Sequence, residues 1–274
     1  MTRLFILFAL GFSAATAPAL AHPEPGEATY LANEAVMVVS GDQKLLFDPF
    51  YAETFDIYRQ VPEPIRSDML AGNGVFQGVD AIVVSHAHAD HFAADVMRAY
   101  MTDHPEVRLY APGQAVAMMD ALGDIPDAIR ERITEINLEY GDDPIRIDEG
   151  GLTLEVVRIP HAGWPAEERA VVQNYVFRIS AGDDTVMHMG DADPQMLHFA
   201  PYEDHWKARR TDLAMPPYWF YFDKTGREIL DEVINAEDSV GVHVPVEVPR
   251  ELIRTGRDFF QTPGETRSLS HDHD

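Results

Sequence analysis

Ser85-His86-Ala87-His88-Ala89-Asp90-His91 gathers three imidazoles and a carboxylate within a few residues. Neutral imidazole and carboxylate are donors that zinc, iron and manganese accept, so the run reads as a metal-binding segment. It follows Ala81-Ile82-Val83-Val84, an apolar run of the kind that forms a strand buried on both faces. If the chain continues extended, side chains alternate, and His86, His88 and Asp90 point the same way. Ala87 and Ala89 leave room for close packing. His91 then enters the next helix and can turn toward a second metal.

Composition narrows what else the chain can do. It has no cysteine, so thiolate-held zinc, iron–sulfur clusters, disulfides and thiol nucleophiles are excluded, and the 12 histidines must carry any soft-metal chemistry. The chain sets 21 Lys+Arg against 46 Asp+Glu, a net charge of −25. Such a surface repels phosphate backbones and anionic lipid, which argues against nucleic-acid and membrane-surface partners. Hydrophobic residues at 46% and charged residues at 24% are ordinary globular values. The 274 residues suffice for one large domain or two small ones.

Met1-Thr2-Arg3, the apolar Leu4–Phe12 and the small-x-small Ala19-Leu20-Ala21 form the pattern of a secretory signal peptide over residues 1–21. The mature chain, residues 22–274, then starts at His22 as a single domain. A cysteine-free exported protein suits a Gram-negative periplasm. No later segment is long and apolar enough to span a bilayer.

The elements that must position the histidines read as follows. Ala28–Leu31, Ala35–Val39 and Lys44–Phe47 form a strand meander with a turn at Gly41-Asp42. Phe50–Gly74 is a long connection. Ala93–Thr102 is a helix, Val107–Tyr110 a strand and Gly113–Leu122 a helix. Ile145–Ile147 and Leu152–Ile159 are strands about Gly150-Gly151. Tyr175–Ser180 and Thr185–Met189 form a hairpin about Gly182-Asp183. Asp212–Met215 is a strand, Gly226–Asn235 a helix and Val240–Val244 the last strand. Pro249–Phe260 reads as a helix, and a polar tail follows from Pro263. Strands, helix–strand alternation and strands again imply two sheets covered by helices.

The His-x-His-x-Asp-His run and its surroundings resemble the metallo-β-lactamase superfamily. Downstream, Ile159-Pro160-His161, Met189-Gly190-Asp191 and Gly241-Val242-His243 stand in the order of that family's remaining ligands, each at a strand end. Leu45-Leu46-Phe47-Asp48-Pro49 resembles its opening strand. The resemblance implies an α+β fold, a four-layer αββα sandwich with metals at one edge between the sheets. It implies two divalent metal ions, zinc first, with iron or manganese also suited. His86, His88 and His161 would hold one, and Asp90, His91 and His243 the other. Asp191 would bridge them together with a hydroxide, the nucleophile toward an ester, lactone or phosphodiester, which Asp90 also orients.

An Asp at position 191, where β-lactam-cleaving members usually carry Cys or Ser, disfavours antibiotic hydrolysis. The nearest likeness is to the branch of ascorbate-phosphate lactonase, small metal-dependent hydrolases and N-acyl-phosphatidylethanolamine phospholipase. A small-molecule substrate follows. The alternative is a non-hydrolytic metal-binding or redox member of the same fold. Beyond the ligands, Tyr218-Trp219-Phe220-Tyr221 offers an apolar wall and Phe50-Tyr51 starts a candidate lid. Trp164 is expected in the pocket and His188 in a structural hydrogen bond.

Overall fold

A computed structural model describes residues 26–269. The leader at residues 1–21 and the His271–Asp274 tail lie outside the described residues. The strands are β1 (Glu27–Ala32), β2 (Ala35–Ser40), β3 (Gln43–Phe47), β4 (Ala81–Val83), β5 (Arg108–Pro112) and β6 (Ile133–Ile136). There follow β7 (Ile145–Glu149), β8 (Leu152–Arg158), β9 (Tyr175–Ala181), β10 (Asp184–His188), β11 (Thr211–Met215), β12 (Ala236–Ser239) and β13 (Thr266–Ser268). One sheet runs β13-β1-β2-β3-β4-β5-β6 and the other β12-β11-β10-β9-β8-β7. Both are mixed. The meander β1-β2-β3 and the run β7-β8-β9-β10 are antiparallel. Pairings from β3 to β6 and from β10 to β12 are parallel.

Period-two alternation builds the layers. Val36, Val38, Leu45, Phe47 and Val83 face inward and meet Leu154, Val156, Phe177, Ile179 and Leu213 of the second sheet. Their neighbours Met37, Leu46 and Ile82 face outward and pack on Met69, Met97, Met101 and Val116 from helices. On the other outer face, Val157, Val176, Met187 and Ala214 pack on Phe199, Trp206, Ile229 and Leu230. Three apolar cores separate four layers, which is the expected α+β αββα sandwich.

Several elements differ from the sequence reading. Phe50–Gly74 contains a helix, Glu63–Ala71, opened by Pro62 and closed by Gly72 in the left-handed region (φ 62°). Its amphipathic pattern is weak, so no period announced it. The helix expected at Gly226–Asn235 is an α-helix at Lys224–Glu228 followed by a π-helical turn at Ile229–Val233. The helix expected at Pro249–Phe260 spans Arg250–Thr255 and stops at Gly256, which adopts φ 67°. The polar tail holds a strand, since Thr266–Ser268 pairs antiparallel with β1. The last strand of the second sheet is Ala236–Ser239, not Val240–Val244. Beyond it the chain makes single bridges, Gly241 to Phe259 and Val242 to Pro217. Hydrophobicity misplaced that strand, because Val240, Val242 and Val244 are buried as a connection.

Candidate metal centre

Four strands of the two sheets end on the same edge, and each hands over a donor. His86 follows β4, His161 follows β8, Asp191 follows β10 and His243 follows β12. Backbone bonds fix these ends to each other. The Tyr175 N–H donates to the Ser85 carbonyl (3.0 Å) and so ties the two sheets. The Ala162 N–H donates to the Asp191 carbonyl (2.7 Å), and the Asp193 N–H to the Pro160 carbonyl (2.8 Å). Asn174 Nδ2 donates to the Ile159 carbonyl (3.1 Å), while its Oδ1 accepts the Asp191 N–H (2.9 Å). Gly190 bends the chain just before Asp191 with φ 50°. A Cβ there would lie 2.6 Å from Asn174 Oδ1 and 2.7 Å from Ser85 Cβ.

Alternation does not survive past His88. Residues 88–91 form a turn in which the His91 and Phe92 N–H groups donate to the His88 carbonyl (3.0 and 2.8 Å). Asp90 therefore leaves the side shared by His86 and His88 and joins His91 and His243. His91 lies in that turn, before the helix, which begins at Ala94.

All seven expected donors converge in two groups, His86/His88/His161/Asp191 and Asp90/His91/His243. Within each group one ligand atom per residue lies within 4.8 Å of the others. His88 Nδ1 is 3.1 Å from both His86 Nε2 and His161 Nε2. His91 Nε2 and His243 Nε2 are 3.2 Å apart, and Asp90 Oδ2 lies 3.5 Å from the latter. Asp191 stands between, with Oδ2 3.0 Å from His161 Nε2 and Oδ1 3.3 and 3.1 Å from the nitrogens of His91 and His243. Six of the seven are buried; His88 is partly exposed.

These donors fit metal ions. Burial keeps His86 well below the ordinary imidazole value and brings His88 to about 4, so both hold an open lone pair at neutral pH. In the second group burial opposes protonation, but Asp191 outweighs it, raising His243 to about 9 and, with Asp48, holding His91 well above its usual value. Asp191 is in turn held well below the carboxylate range by His243 and His91, against its own burial. Protons thus occupy the positive positions around one carboxylate, which is where divalent ions would replace them. Asp191 Oδ1 is buried and faces the nitrogens of both His91 and His243.

A second layer turns the rings. Asp48 Oδ2 lies 2.9 Å from His91 Nδ1, and Asp48 Oδ1 accepts the Ser85 N–H (2.7 Å). His161 Nδ1 donates to the Ala162 carbonyl (2.8 Å), and Ser85 Oγ lies 3.1 Å from His86 Nδ1. Such bonds set the tautomer that leaves the opposite nitrogen for a metal. The β1–β2 turn supports the far side. Asn33 Nδ2 donates to the Asp90 carbonyl (2.8 Å), the Asn33 carbonyl accepts the His243 N–H (3.1 Å), and Glu34 is wholly buried beside them. Glu34 was not anticipated, and neither were Asn33, Ser85 or Asn174. Asn33 carried one signal, since Asn at a tight hairpin takes a left-handed conformation, here φ 54°.

A cavity of about 650 Å³ opens over the donors, walled by Phe55, Ile57, Tyr58, Arg169 and Trp219. Tyr58 meets the His243 ring edge-on at 3.9 Å, and Trp219 lies 5.4 Å from it. Of the expected aromatic wall only Trp219 lines this cavity, while Phe220 and Tyr221 are core. Of the candidate lid, Phe50 is core and the Tyr51 hydroxyl donates to the Arg59 carbonyl (2.8 Å), while Phe55, Ile57 and Tyr58 of the following loop line the cavity. Trp164 does not line the cavity; it packs on Tyr140 and His198. His188 makes the expected structural contact, 3.1 Å from the Glu34 carbonyl.

Fold and site together define an αββα sandwich with a histidine-rich candidate metal site at the edge where both sheets end. Residues 43–247 match the family model described as Beta-lactamase superfamily domain, and the chain belongs to that metallo-β-lactamase superfamily. A UPF0173 metal-dependent hydrolase of Pyrococcus furiosus is 26% identical over 160 residues, 57% of this chain and 58% of that protein. The UPF0173 protein YddR of Bacillus subtilis is 35% identical over 72 residues, 23% of this chain and 28% of that protein. The chain thus spans less than two thirds of the length of these curated relatives. The crystal structure of the metallo-beta-lactamase fold protein YhfI from Bacillus subtilis shares the fold, with TM-score 0.59 at 18% identity over 89% of this chain and 98% of that one.

Proposed function

We propose that the chain is an exported metal-dependent hydrolase that holds two divalent metal ions, zinc first, and cleaves an ester, lactone or phosphodiester bond of a small molecule. The observation that carries this reading is the convergence of two donor groups on the two oxygens of Asp191. His86, His88 and His161 would hold one ion, Asp90, His91 and His243 the other, and Asp191 both. Bound metal supplies a water of lowered pKa and polarises a carbonyl or phosphoryl oxygen.

The chain's own residues do the rest. Asp90 lines the cavity, with Oδ2 3.5 Å from His243 Nε2, and would orient the attacking water. Tyr58 and Trp219 narrow the entrance and keep bulk solvent from the donors. The cavity volume suits a small molecule, and the charge of −25 disfavours a polyanion such as RNA. The name of the Pyrococcus relative, a metal-dependent hydrolase, agrees with this reading. Export rests on the leader pattern of residues 1–21.

The test is turnover by zinc-, manganese- and iron-loaded protein on neutral esters, lactones and phosphodiesters, read as kcat/KM. Neutral esters or lactones should exceed nucleic-acid phosphodiesters, and Trp219→Ala should raise KM more than it lowers kcat. Loaded protein with no turnover on any class would instead support a non-hydrolytic metal-binding or redox role.

A further inference from the structure

Arg169 is partly buried in the wall of the metal cavity, next to the first donor group. Its guanidinium has one hydrogen-bond partner among the described residues, His161 Nε2 at 3.4 Å. That nitrogen is the one aimed at Asp191 and His88, so a metal ion would take its lone pair. Arg169 is then left with no acceptor from the protein. Many other arginines of this acidic chain have one. Arg158, Arg178, Arg257 and Arg267 face carboxylates, and Arg98 and Arg132 donate to main-chain carbonyls. Glu168 also lines the cavity, but it is exposed and forms no ion pair with Arg169 among the described residues.

A guanidinium presents a planar fork that matches carboxylate and phosphate oxygens. Here it is desolvated on one side and adjoins the site of bond cleavage. The same cavity is also lined by the apolar Phe55, Ile57 and Trp219, with Phe55 and Ile57 about half exposed. We propose that Arg169 is a specificity residue, and that the substrate carries one anionic group, carboxylate or phosphate, close to the scissile bond and an apolar arm reaching Phe55, Ile57 and Trp219. This rests on the hydrolase reading above. It also reconciles that reading with the chain's charge: the acidic surface rejects polyanions at long range, while Arg169 accepts a single anion at short range.

The test uses full-length protein loaded with zinc, in wild type, Arg169→Gln and Arg169→Lys, with metal content measured for each. Substrates are 4-nitrophenyl acetate, 4-nitrophenyl hydrogen succinate and 4-nitrophenyl phosphate. The ratio of kcat/KM for an anionic over the neutral substrate should fall about tenfold in Arg169→Gln, mainly through KM, and Arg169→Lys should retain part of it. Which anionic substrate shows the fall separates carboxylate from phosphate. Calorimetric binding of succinate and of inorganic phosphate gives a readout independent of turnover. About tenfold weaker binding of either in Arg169→Gln supports the proposal even if no substrate is hydrolysed, an outcome that would defeat the hydrolase reading alone. Unchanged ratios together with unchanged anion binding overturn it. Loss of metal from Arg169→Gln also overturns it, since Arg169 would then be holding His161 rather than substrate.

Discussion

Asp48 and Glu34 are both buried carboxyls beneath the donors, and they do opposite things. Asp48 is fully engaged, with His91 Nδ1 on one oxygen and the Ser85 N–H on the other. It fixes the ring that must offer Nε2 to a metal. Asp48→Asn keeps the shape and removes the charge, and should weaken metal binding about 10- to 100-fold. A chelator competition titration measures this, and an unchanged affinity would show that His91 needs no orienting carboxylate. Glu34 is wholly buried, with Oε2 3.2 Å from His188 Nε2 and no hydrogen-bond donor at Oε1. Burial pushes it up to about 8. In the unfolded chain a glutamate ionises near 4.5, so between about pH 4.5 and 8 only the folded state keeps this proton. Unfolding then releases it, and the group's contribution to stability declines as pH rises through that window. Glu34→Gln cannot ionise, so in metal-free protein its melting temperature should fall less than wild type's between pH 5 and 8. Parallel curves would place the Glu34 proton elsewhere.

At the scale of elements, the donors stand at strand ends because a parallel or mixed sheet delivers its C-terminal edges to one side. Gly190 is the sharpest case, with φ 50° and no room for a Cβ against Asn174 and Ser85. Gly190→Ala should destabilise the fold by about 1–3 kcal/mol and displace Asp191, lowering metal content. Thermal unfolding and metal analysis read both effects; an alanine variant with unchanged melting and metal content would mean that this bend carries no constraint. The strands before His86, His161 and Asp191 were legible because each apolar stretch stops just before its donor. The strand before His243 was not, since Val240, Val242 and Val244 imitate a strand while φ 59° at His243 breaks it. Alternation placed Asp90 beside His86 and His88, whereas the structure groups it with His91 and His243. Arg169, Tyr58 and Glu34 were invisible for a common reason: they reach the site only through tertiary contact, and single residues in loops or in a four-residue helix leave no period to read.

Across the whole molecule, three apolar cores hold four layers, and the candidate metal centre sits where the two central sheets end together. Among the described residues no helix is long and apolar enough to cross a membrane. The leader reading predicts a mature chain beginning at His22, and intact-mass measurement on protein from the periplasm of a Gram-negative host checks it; a full-length, membrane-retained product would contradict export. In the proposed function one carboxylate, Asp191, organises two metal ions. Metal analysis of purified wild type and Asp191→Ala tests it most directly. Close to two ions per chain in wild type, falling to one or fewer in the variant with loss of nearly all activity, is the predicted result. Equal metal content and equal turnover in the two proteins would contradict it.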